Sequence, residues 1–239
     1  MQGILNVIGV GPGDPELLTL KAVRIIKESP VLCVPKGREE GSSLALSIVE
    51  KAVDLKGKEI IESHFPMVKT RTQREEKNGL DDKWNEIAET ILGKLRKGAY
   101  VAFLTLGDPA LYSTFFYLYD KLLELQPDLD IRIIPGVSSV NASAARAGIS
   151  LGLGNDRIAV LPANYMNDLK PALESFDTVV LMKVSKVFNE IVEMLSDMNL
   201  IENAVCISNA GMDDEKIFRN IREAGEEDLN YFSTLIVKK

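Results

Sequence analysis

A tight break interrupts an apolar run near the middle of the chain. Residues 100–104 are apolar, with β-branched and aromatic members, and this composition predicts a buried strand. Gly107, Asp108 and Pro109 cannot continue a strand, because glycine opens unusual backbone conformations and proline supplies no N–H. Ser113 or Thr114 then caps a helix over residues 115–123. Open α/β sheets bind ligands at such loops, so we predict a ligand loop here; an ordinary βα turn is the alternative.

A second glycine-containing loop follows the first predicted strand, residues 4–10. Gly9, Gly11 and Gly13 alternate, but the dinucleotide fingerprint needs a different spacing and no Gly-Lys-Ser/Thr follows. Pro12 has no N–H with which to hold a phosphate. The loop is therefore better suited to a close backbone approach to a less charged ligand. After it, Asp14 and Pro15 predict the start of a helix that contains the apolar residues between positions 17 and 26.

The remaining pattern predicts an α/β protein of two domains, 1–136 and 137–239. Further strands are predicted in the first domain at 31–34, ended by Pro35, at 59–62 and at 131–134, together with helices at 44–53 and 84–95. A helix at 140–147 opens the second domain. Five strands are predicted in the second domain: 158–161, 178–182, 204–207, 216–218 and 232–237. The last three have no helices between them, which indicates antiparallel pairing. We expect a mostly parallel five-stranded sheet followed by a mixed five-stranded sheet.

Composition excludes some functions. The formal net charge is −7 and the pI is about 5.0, which argues against a general affinity for nucleic acid or acidic membranes. We expect no signal peptide and no membrane span. The two cysteines, Cys33 and Cys206, lie in apolar runs and are predicted to be buried free thiols of a cytoplasmic protein. His64 is the only histidine, so we predict neither a protein-bound metal nor a Ser/His triad, and we expect His64 at the surface or in a loop.

Residues 69–77 form the main local supply of positive charge, with four basic side chains against two acidic ones. A solvated loop is the usual role of such a run. The alternative is a segment that collects an anionic ligand, and the residues alone leave both interpretations open.

Three motifs, in this order and spacing, resemble the tetrapyrrole (corrin and porphyrin) methylase family. They are Gly-x-Gly-Pro-Gly-Asp-Pro-Glu-Leu-Leu-Thr at 9–19, Gly-Asp-Pro-x-x-Tyr at 107–112 and Ile-Pro-Gly-Val-Ser-Ser at 134–139. Together they span most of the chain. Within the family, residues 65–67 and 112–114 are most similar to the C-20 methyltransferases of corrin synthesis. Most relatives carry glycine at the position of Ser113.

The resemblance implies S-adenosylmethionine as methyl donor, S-adenosylhomocysteine as product, a donor site in the cleft between two α/β domains, and a homodimer. The implied donor-binding residues are Pro12, Leu106, Gly107, Asp108, Leu111, Ser138, Ser139, Met182, Ala210 and Thr234. Asp108 and Tyr112 are candidates for accepting a proton, with water as the alternative. The predicted substrate-binding residues are Met67, which would touch the flat face of the ring, and Lys69, Arg71, Arg74 and Lys77, in a flap over 69–77 that would gather the substrate carboxylates.

The expected reaction is methylation of the C-20 meso carbon of precorrin-2 or cobalt-factor II in cobalamin biosynthesis. One alternative is methylation of a different corrin carbon, and another is methylation of a diphthamide precursor. A different class of protein, a non-catalytic binder of tetrapyrrole or adenosine ligands, is a third possibility. The intact loops at 107–109 and 135–139 favour an enzyme over a mere binder.

Overall fold

A computed structural model describes residues 3–36, 43–64 and 77–239 of this chain, with side chains from residue 82 onward in the last range. The chain divides into two compact units, Met1–Val137 and Ser138–Lys239. Each unit contains one five-stranded sheet. The predicted α/β class, with a parallel and a mixed sheet, is confirmed.

The strands and helices follow one another along the chain as listed here. The strands are β1 Leu5–Gly9, β2 Val31–Lys36, β3 Glu59–His64, β4 Val101–Thr105, β5 Ile131–Ile134, β6 Ile158–Pro162, β7 Thr178–Met182, β8 Ala204–Ser208, β9 Lys216–Phe218 and β10 Thr234–Lys238. The α-helices are α1 Leu20–Glu28, α2 Leu44–Ala52, α3 Lys77–Leu95, α4 Phe115–Leu125, α5 Ser139–Ala147, α6 Met166–Ser175 and α7 Phe188–Asp197. Helices α6 and α7 were not identified from the sequence.

The sheet of the first unit has the order β3-β2-β4-β1-β5, and all its neighbours are parallel. Helices α1 and α2 bury their apolar sides on one face, and α3 and α4 bury theirs on the other. Strands β1 and β4 are adjacent, yet the helices that follow them cover opposite faces. The direction of the chain connections therefore reverses between these two strands, and doubly wound sheets bind ligands at the carboxyl ends of the strands at such a point.

The first helix begins later than predicted. Thr19 caps α1, and its Oγ1 accepts the N–H of Ala22 at 3.1 Å. The predicted Asp14 cap exists, but it starts only a short 3₁₀ turn, Pro15–Leu17, in which Asp14 accepts the N–H of Glu16 at 2.8 Å. The extended backbone of Leu18 (ψ 130°) separates this turn from α1.

Two other predicted boundaries in the first unit also change. Strand β2 runs through Pro35 to Lys36 instead of ending before the proline. Its pairing with β4 covers only Val31 to Cys33, so Pro35 lies where the ladder to β4 has already ended and its missing N–H costs no bond there. Helix α3 begins at Lys77, seven positions before the predicted start at Trp84.

The sheet of the second unit has the order β6-β7-β10-β8-β9. Only β6 and β7 are parallel, and the other three pairings are antiparallel. Strand β10 begins at Thr234 and not at Phe232, because Asn230 and Ser233 close a turn before it, with Ser233 N–H donating to the Asn230 carbonyl at 3.1 Å. Helix α5 packs against β8 and β10. None of the helices in the described part of the chain has the length and apolar composition needed to cross a bilayer.

Candidate functional site

The loops after β1 and β4 are joined by a short bridge between two glycines. Gly11 N–H donates to the Gly107 carbonyl at 3.2 Å, and Gly107 N–H donates to the Gly11 carbonyl at 2.7 Å. Both residues have left-handed backbones, with φ of 79° and 70°. Glycine adopts this conformation at little cost, so the bridge favours glycine at these two positions. The two predicted ligand loops are therefore joined by backbone hydrogen bonds.

Asp108 connects these joined loops to the turn after β5. One of its carboxylate oxygens accepts the N–H of Ala110 at 2.7 Å, and the other accepts the N–H of Gly136 at 3.0 Å. Bonds from N–H groups to a carboxylate are stronger than bonds between neutral partners. The loop-stabilising role that is common for aspartate in turns is therefore present here.

Three strand ends meet at very short range around Gly9 and Gly136. A methyl group at Gly9 would lie 2.6 Å from the Gly107 oxygen and 2.7 Å from the Gly136 nitrogen. A methyl group at Gly136 would collide with the same Gly107 oxygen. Backbone atoms fill this space, so no side chain larger than hydrogen fits at either position without displacing the loops.

Tyr112 and Ser113 shape the end of the central loop. Tyr112 has φ of 53°, a left-handed conformation that is costly for a residue with a side chain, and 46% of its surface is exposed. Burial of the rest of its ring raises the pKa of its hydroxyl, so the phenol stays protonated near neutral pH. Ser113 Oγ accepts the N–H of Phe115 at 3.2 Å and lies 3.1 Å from Thr105 Oγ1. Ser113, and not Thr114, therefore provides the side-chain cap of α4.

The donor-site residues predicted in the first unit lie along these joined loops. Pro12 is buried directly after Gly11, and Leu106 and Leu111 are half-buried in the loop that carries Asp108. The structure therefore brings the first-unit part of the predicted set together.

In the second unit, Ser138 and Ser139 begin α5. Ser138 Oγ accepts the N–H of Asn141 at 3.2 Å and donates to the Asn141 side-chain oxygen at 3.0 Å. The helix ends at Gly148 in a left-handed cap (φ 69°). The small-residue helix expected from the sequence thus presents both serines at its first turn.

Met182 and Thr234 are direct neighbours, paired in register at the ends of β7 and β10. Thr234 also pairs with Ile207 of β8, and Ala210 follows three residues further along. These three predicted residues therefore lie at one end of the second sheet.

The loop that contains Ala210 is held by residues that the sequence analysis did not identify. Asn209 has φ of 56° and Gly211 has φ of 79°, so Ala210 lies between two left-handed residues. The Asn209 side chain donates to Asp214 at 2.7 Å and accepts from Asn230 at 2.9 Å. Glu215 accepts the N–H of Gly211 at 2.7 Å. The bonds to Asp214 and Glu215 lie within the loop between β8 and β9, whereas the bond from Asn230 comes from 21 positions away, which no local pattern in the sequence indicates.

A charged pair that the sequence pattern does not indicate lies at the carboxyl ends of β2 and β3. Lys36 Nζ lies 2.6 Å from Glu62 Oε2. His64, expected at the surface or in a loop, is instead the half-buried last residue of β3, in register with Lys36. These groups lie at the same edge of the first sheet as the ligand loops.

The predicted substrate-binding set falls largely outside the described residues, and this applies to Met67, Lys69, Arg71 and Arg74. Lys77 is the first residue of α3, and its side chain is not described. Within the described ranges, no three His, Cys, Asp or Glu side chains are grouped as metal ligands.

Comparison with known proteins agrees with this geometry. A cobalt-precorrin-2 C(20)-methyltransferase of Salmonella typhimurium is 36% identical, over 100% of this chain and 98% of its own length. A protein named probable cobalt-precorrin-2 C(20)-methyltransferase in Methanocaldococcus jannaschii is 34% identical, over 97% of this chain and 94% of its own. A Thermus thermophilus uroporphyrin-III C-methyltransferase, solved with S-adenosylhomocysteine, shares the fold with a TM-score of 0.65 at 22% identity, over 99% of this chain and 98% of that chain.

The family model of the tetrapyrrole methylases matches residues 5–224, which is most of the chain. The match includes the joined glycine loops, Asp108 and the start of α5. This chain therefore belongs to the Tetrapyrrole (Corrin/Porphyrin) Methylases family.

Proposed function

We propose that this protein is an S-adenosylmethionine-dependent methyltransferase that methylates the C-20 meso carbon of precorrin-2 or cobalt-factor II in cobalamin biosynthesis. The observation that carries the proposal is the bridge between Gly11 and Gly107 at the carboxyl ends of β1 and β4. The names of the two relatives that match this chain over nearly its full length support the choice of C-20.

The joined loops suit this donor chemically. S-adenosylmethionine has no phosphate, so it does not need a row of N–H groups, and Pro12 would interrupt such a row. Gly11 and Gly107 carry no side chains, which allows a ligand to approach the backbone closely. We propose that the donor is bound by Pro12, Leu106, Gly107, Asp108 and Leu111 of the first unit. In the second unit we propose Ser138, Ser139, Met182, Ala210 and Thr234.

Catalysis of this reaction requires mainly that the methyl donor and the C-20 carbon are held in line. The C-20 carbon forms a bond to the methyl group, the sulfonium sulfur keeps the electron pair of the broken bond, and C-20 then loses its proton. The donor already carries an electrophilic methyl group, so alignment of the two reactants supplies most of the acceleration. The loops are suited to this task, because Asp108 and the glycine bridge hold three strand ends in one arrangement.

The described side chains offer weak proton acceptors. Both oxygens of Asp108 already accept backbone N–H groups, so this carboxylate is engaged in holding the loops together. The Tyr112 hydroxyl has a raised pKa and stays protonated, so it is suited to donate a hydrogen bond rather than to act as a base. We therefore propose that water accepts the proton and that Tyr112 helps to orient the substrate.

Substrate binding is proposed for residues 67–77. The substrate carries several acetate and propionate groups, and arginine and lysine are their natural partners. Lys69, Arg71, Arg74 and Lys77 supply such groups in a chain of net charge −7. Cobalt, if present, is proposed to arrive inside the substrate ring.

The function is tested by incubating the protein with methyl-labelled S-adenosylmethionine and either precorrin-2 or cobalt-factor II. We expect a product heavier by one methyl group, with the label at C-20 by NMR. A label at a different carbon would assign the protein to a different member of the family. Tight binding of S-adenosylhomocysteine with no transfer to either substrate would indicate a non-catalytic binder.

We also propose a homodimer in the cytoplasm. In the aromatic run at the start of α4, Phe115 is buried in the core, so only Phe116 and Tyr117, with 39% and 51% of their surfaces exposed, are available for an interface. Closed two-fold dimers are the most common oligomers. Light scattering at micromolar concentrations should give twice the chain mass, and a monomer mass would contradict the proposal.

The two free, buried thiols are compatible with a reducing compartment, which supports the proposed location in the cytoplasm.

A further inference from the structure

Glu215 links two segments of the second unit that are far apart in the sequence. Its carboxylate accepts the N–H of Gly211 at 2.7 Å. The same carboxylate accepts Nε of Arg146 with both oxygens, at 2.7 and 2.8 Å. Gly211 belongs to the loop that carries Ala210, and Arg146 lies in the last turn of α5, whose first turn carries Ser138 and Ser139.

The burial of this carboxylate makes the link specific. Only 10% of the Glu215 side chain is exposed, whereas 59% of the Arg146 side chain is exposed. A buried charge is costly unless it is paired and hydrogen-bonded, so the carboxylate ties both partners to one position. Arg219 adds a second tie to the same helix end, because its guanidinium donates to the Ala147 carbonyl at 2.9 Å.

The loop is held on both sides of Ala210. Asn209 and Gly211 both have left-handed backbones, a conformation open to glycine and, among residues with a side chain, adopted most readily by asparagine and aspartate. Asn209 is held by Asp214 and Asn230, and Gly211 is held by Glu215. The backbone of Ala210 is thus fixed from both sides.

We infer that Glu215 is a positioning residue for the methyl donor, which couples the Ala210 loop to the helix that carries Ser138 and Ser139. It does not touch the donor. This inference rests on the proposed function, because it assumes that these three residues contact the donor. A displacement of either segment changes the fit of the donor, and a misplacement of about 1 Å is enough to slow a reaction that depends on positioning.

The test uses the full-length protein with the substitution Glu215→Gln. Glutamine keeps the shape but has one acceptor oxygen, so its NH₂ group must face one of the two donors. We expect the dissociation constant of S-adenosylhomocysteine, measured by calorimetry, to rise at least fivefold. We expect the KM for the tetrapyrrole to change less than twofold, a split that a general loss of stability would not produce.

A matched control is available in the same unit. Asp228 accepts Lys216 Nζ at 2.6 Å and the N–H of Gly225 at 2.9 Å, which repeats the cation, carboxylate and glycine arrangement with partners that lie neither in the Ala210 loop nor in α5. Asp228→Asn should leave the affinity for S-adenosylhomocysteine unchanged. If Glu215→Gln does not fold, Arg146→Ala tests the same link at a largely exposed side chain, and Arg146→Lys should restore part of the affinity.

The outcomes separate the two proposals. Wild-type protein that binds S-adenosylhomocysteine, with unchanged affinity in Glu215→Gln or Arg146→Ala, overturns the inference and leaves the proposed function intact. An equal loss of affinity for donor and tetrapyrrole also overturns it, since that result describes a general structural role. Wild-type protein that does not bind S-adenosylhomocysteine overturns the proposed function, and the inference with it.

Discussion

The carboxylate of Asp108 accepts the backbone N–H of Gly136 at 3.0 Å, and this bond joins the loop after β4 to the turn after β5. The same carboxylate accepts the N–H of Ala110 at 2.7 Å. Asp108→Asn keeps the shape but places an NH₂ group against one of these donors. Hydrogen bonds to charged groups contribute about 1.5–3 kcal/mol each, so we expect a loss of this order in the free energy of unfolding, measured with urea.

The control for this substitution is Asp54→Asn, because Asp54 accepts a single exposed N–H, that of Lys56 at 2.9 Å. A smaller loss is expected there. We also expect weaker binding of S-adenosylhomocysteine by Asp108→Asn only. Equal losses in the free energy of unfolding would show that the bond from Gly136 to Asp108 contributes no more to stability than an exposed bond does.

Gly9 tests the close approach of the three strand ends. A methyl group at Gly9 would lie 2.6 Å from the Gly107 oxygen and 2.8 Å from Cδ of Pro109. Gly9→Ala should cost about 1–3 kcal/mol or more of stability, as is usual for overpacking, together with donor affinity. Gly93→Ala is the opposite control: it lies in α3 with no atom within 4 Å of the new methyl, so helix propensity should raise stability by about 0.5–1 kcal/mol. A tolerated Gly9→Ala would contradict the packing described.

Tyr112 combines a strained backbone with a half-exposed ring. Because its φ is 53°, Tyr112→Gly should be more stable than Tyr112→Ala by about 1 kcal/mol, since both lose the ring and only glycine adopts this conformation freely. Thermal or urea unfolding of the pair measures the difference. Tyr112→Phe should raise the KM for the tetrapyrrole without changing the affinity for S-adenosylhomocysteine. An unchanged KM would remove the hydroxyl from substrate binding.

The buried thiols predict a loss of stability in alkali. Burial raises the pKa of Cys33 and Cys206 from 9.0 to about 12. Between these values the unfolded chain releases protons that the folded chain retains, so the free energy of unfolding falls as pH rises, by about 1.4 kcal/mol per pH unit for each thiol. Below pH 9 this contribution is constant. In the double variant Cys33→Ala/Cys206→Ala the slope between pH 9 and 11 should be shallower; equal slopes would contradict the raised pKa values.

The segment before α3 is tested through its charges. Removal of charge-assisted bonds worth about 1.5–3 kcal/mol each should raise the KM for the tetrapyrrole at least tenfold in Arg71→Ala/Arg74→Ala. The donor KM should not change. Arg24→Ala is the control, because Arg24 pairs only locally with Glu28 on the exposed side of α1. If the donor KM alone rises, the segment binds the other ligand, and if neither changes, it is a solvated loop.

Much of the fold could be predicted from the sequence, because local physics decides it. Apolar runs of four to six residues specify strands, and Gly107 with Pro109 ends β4 at a definite place. The mixed sheet followed from strands with no predicted helices between them. The boundaries were less predictable: α1 is capped by Thr19 and not by Asp14, since two competing caps lie five residues apart and only packing chooses between them.

The candidate site could likewise be predicted from the sequence only in part. The glycine loops, Asp108 and the two serines of α5 are adjacent to strand or helix ends, so their sequence pattern indicates them directly. The partners of these residues come from elsewhere in the chain. The bond from Gly136 to Asp108 spans 28 positions, and the pairing of Arg146 with Glu215 spans 69. A sequence shows which residues are able to form such bonds, but only the tertiary structure brings the two groups to within 3 Å, because that distance depends on the packing of every element between them.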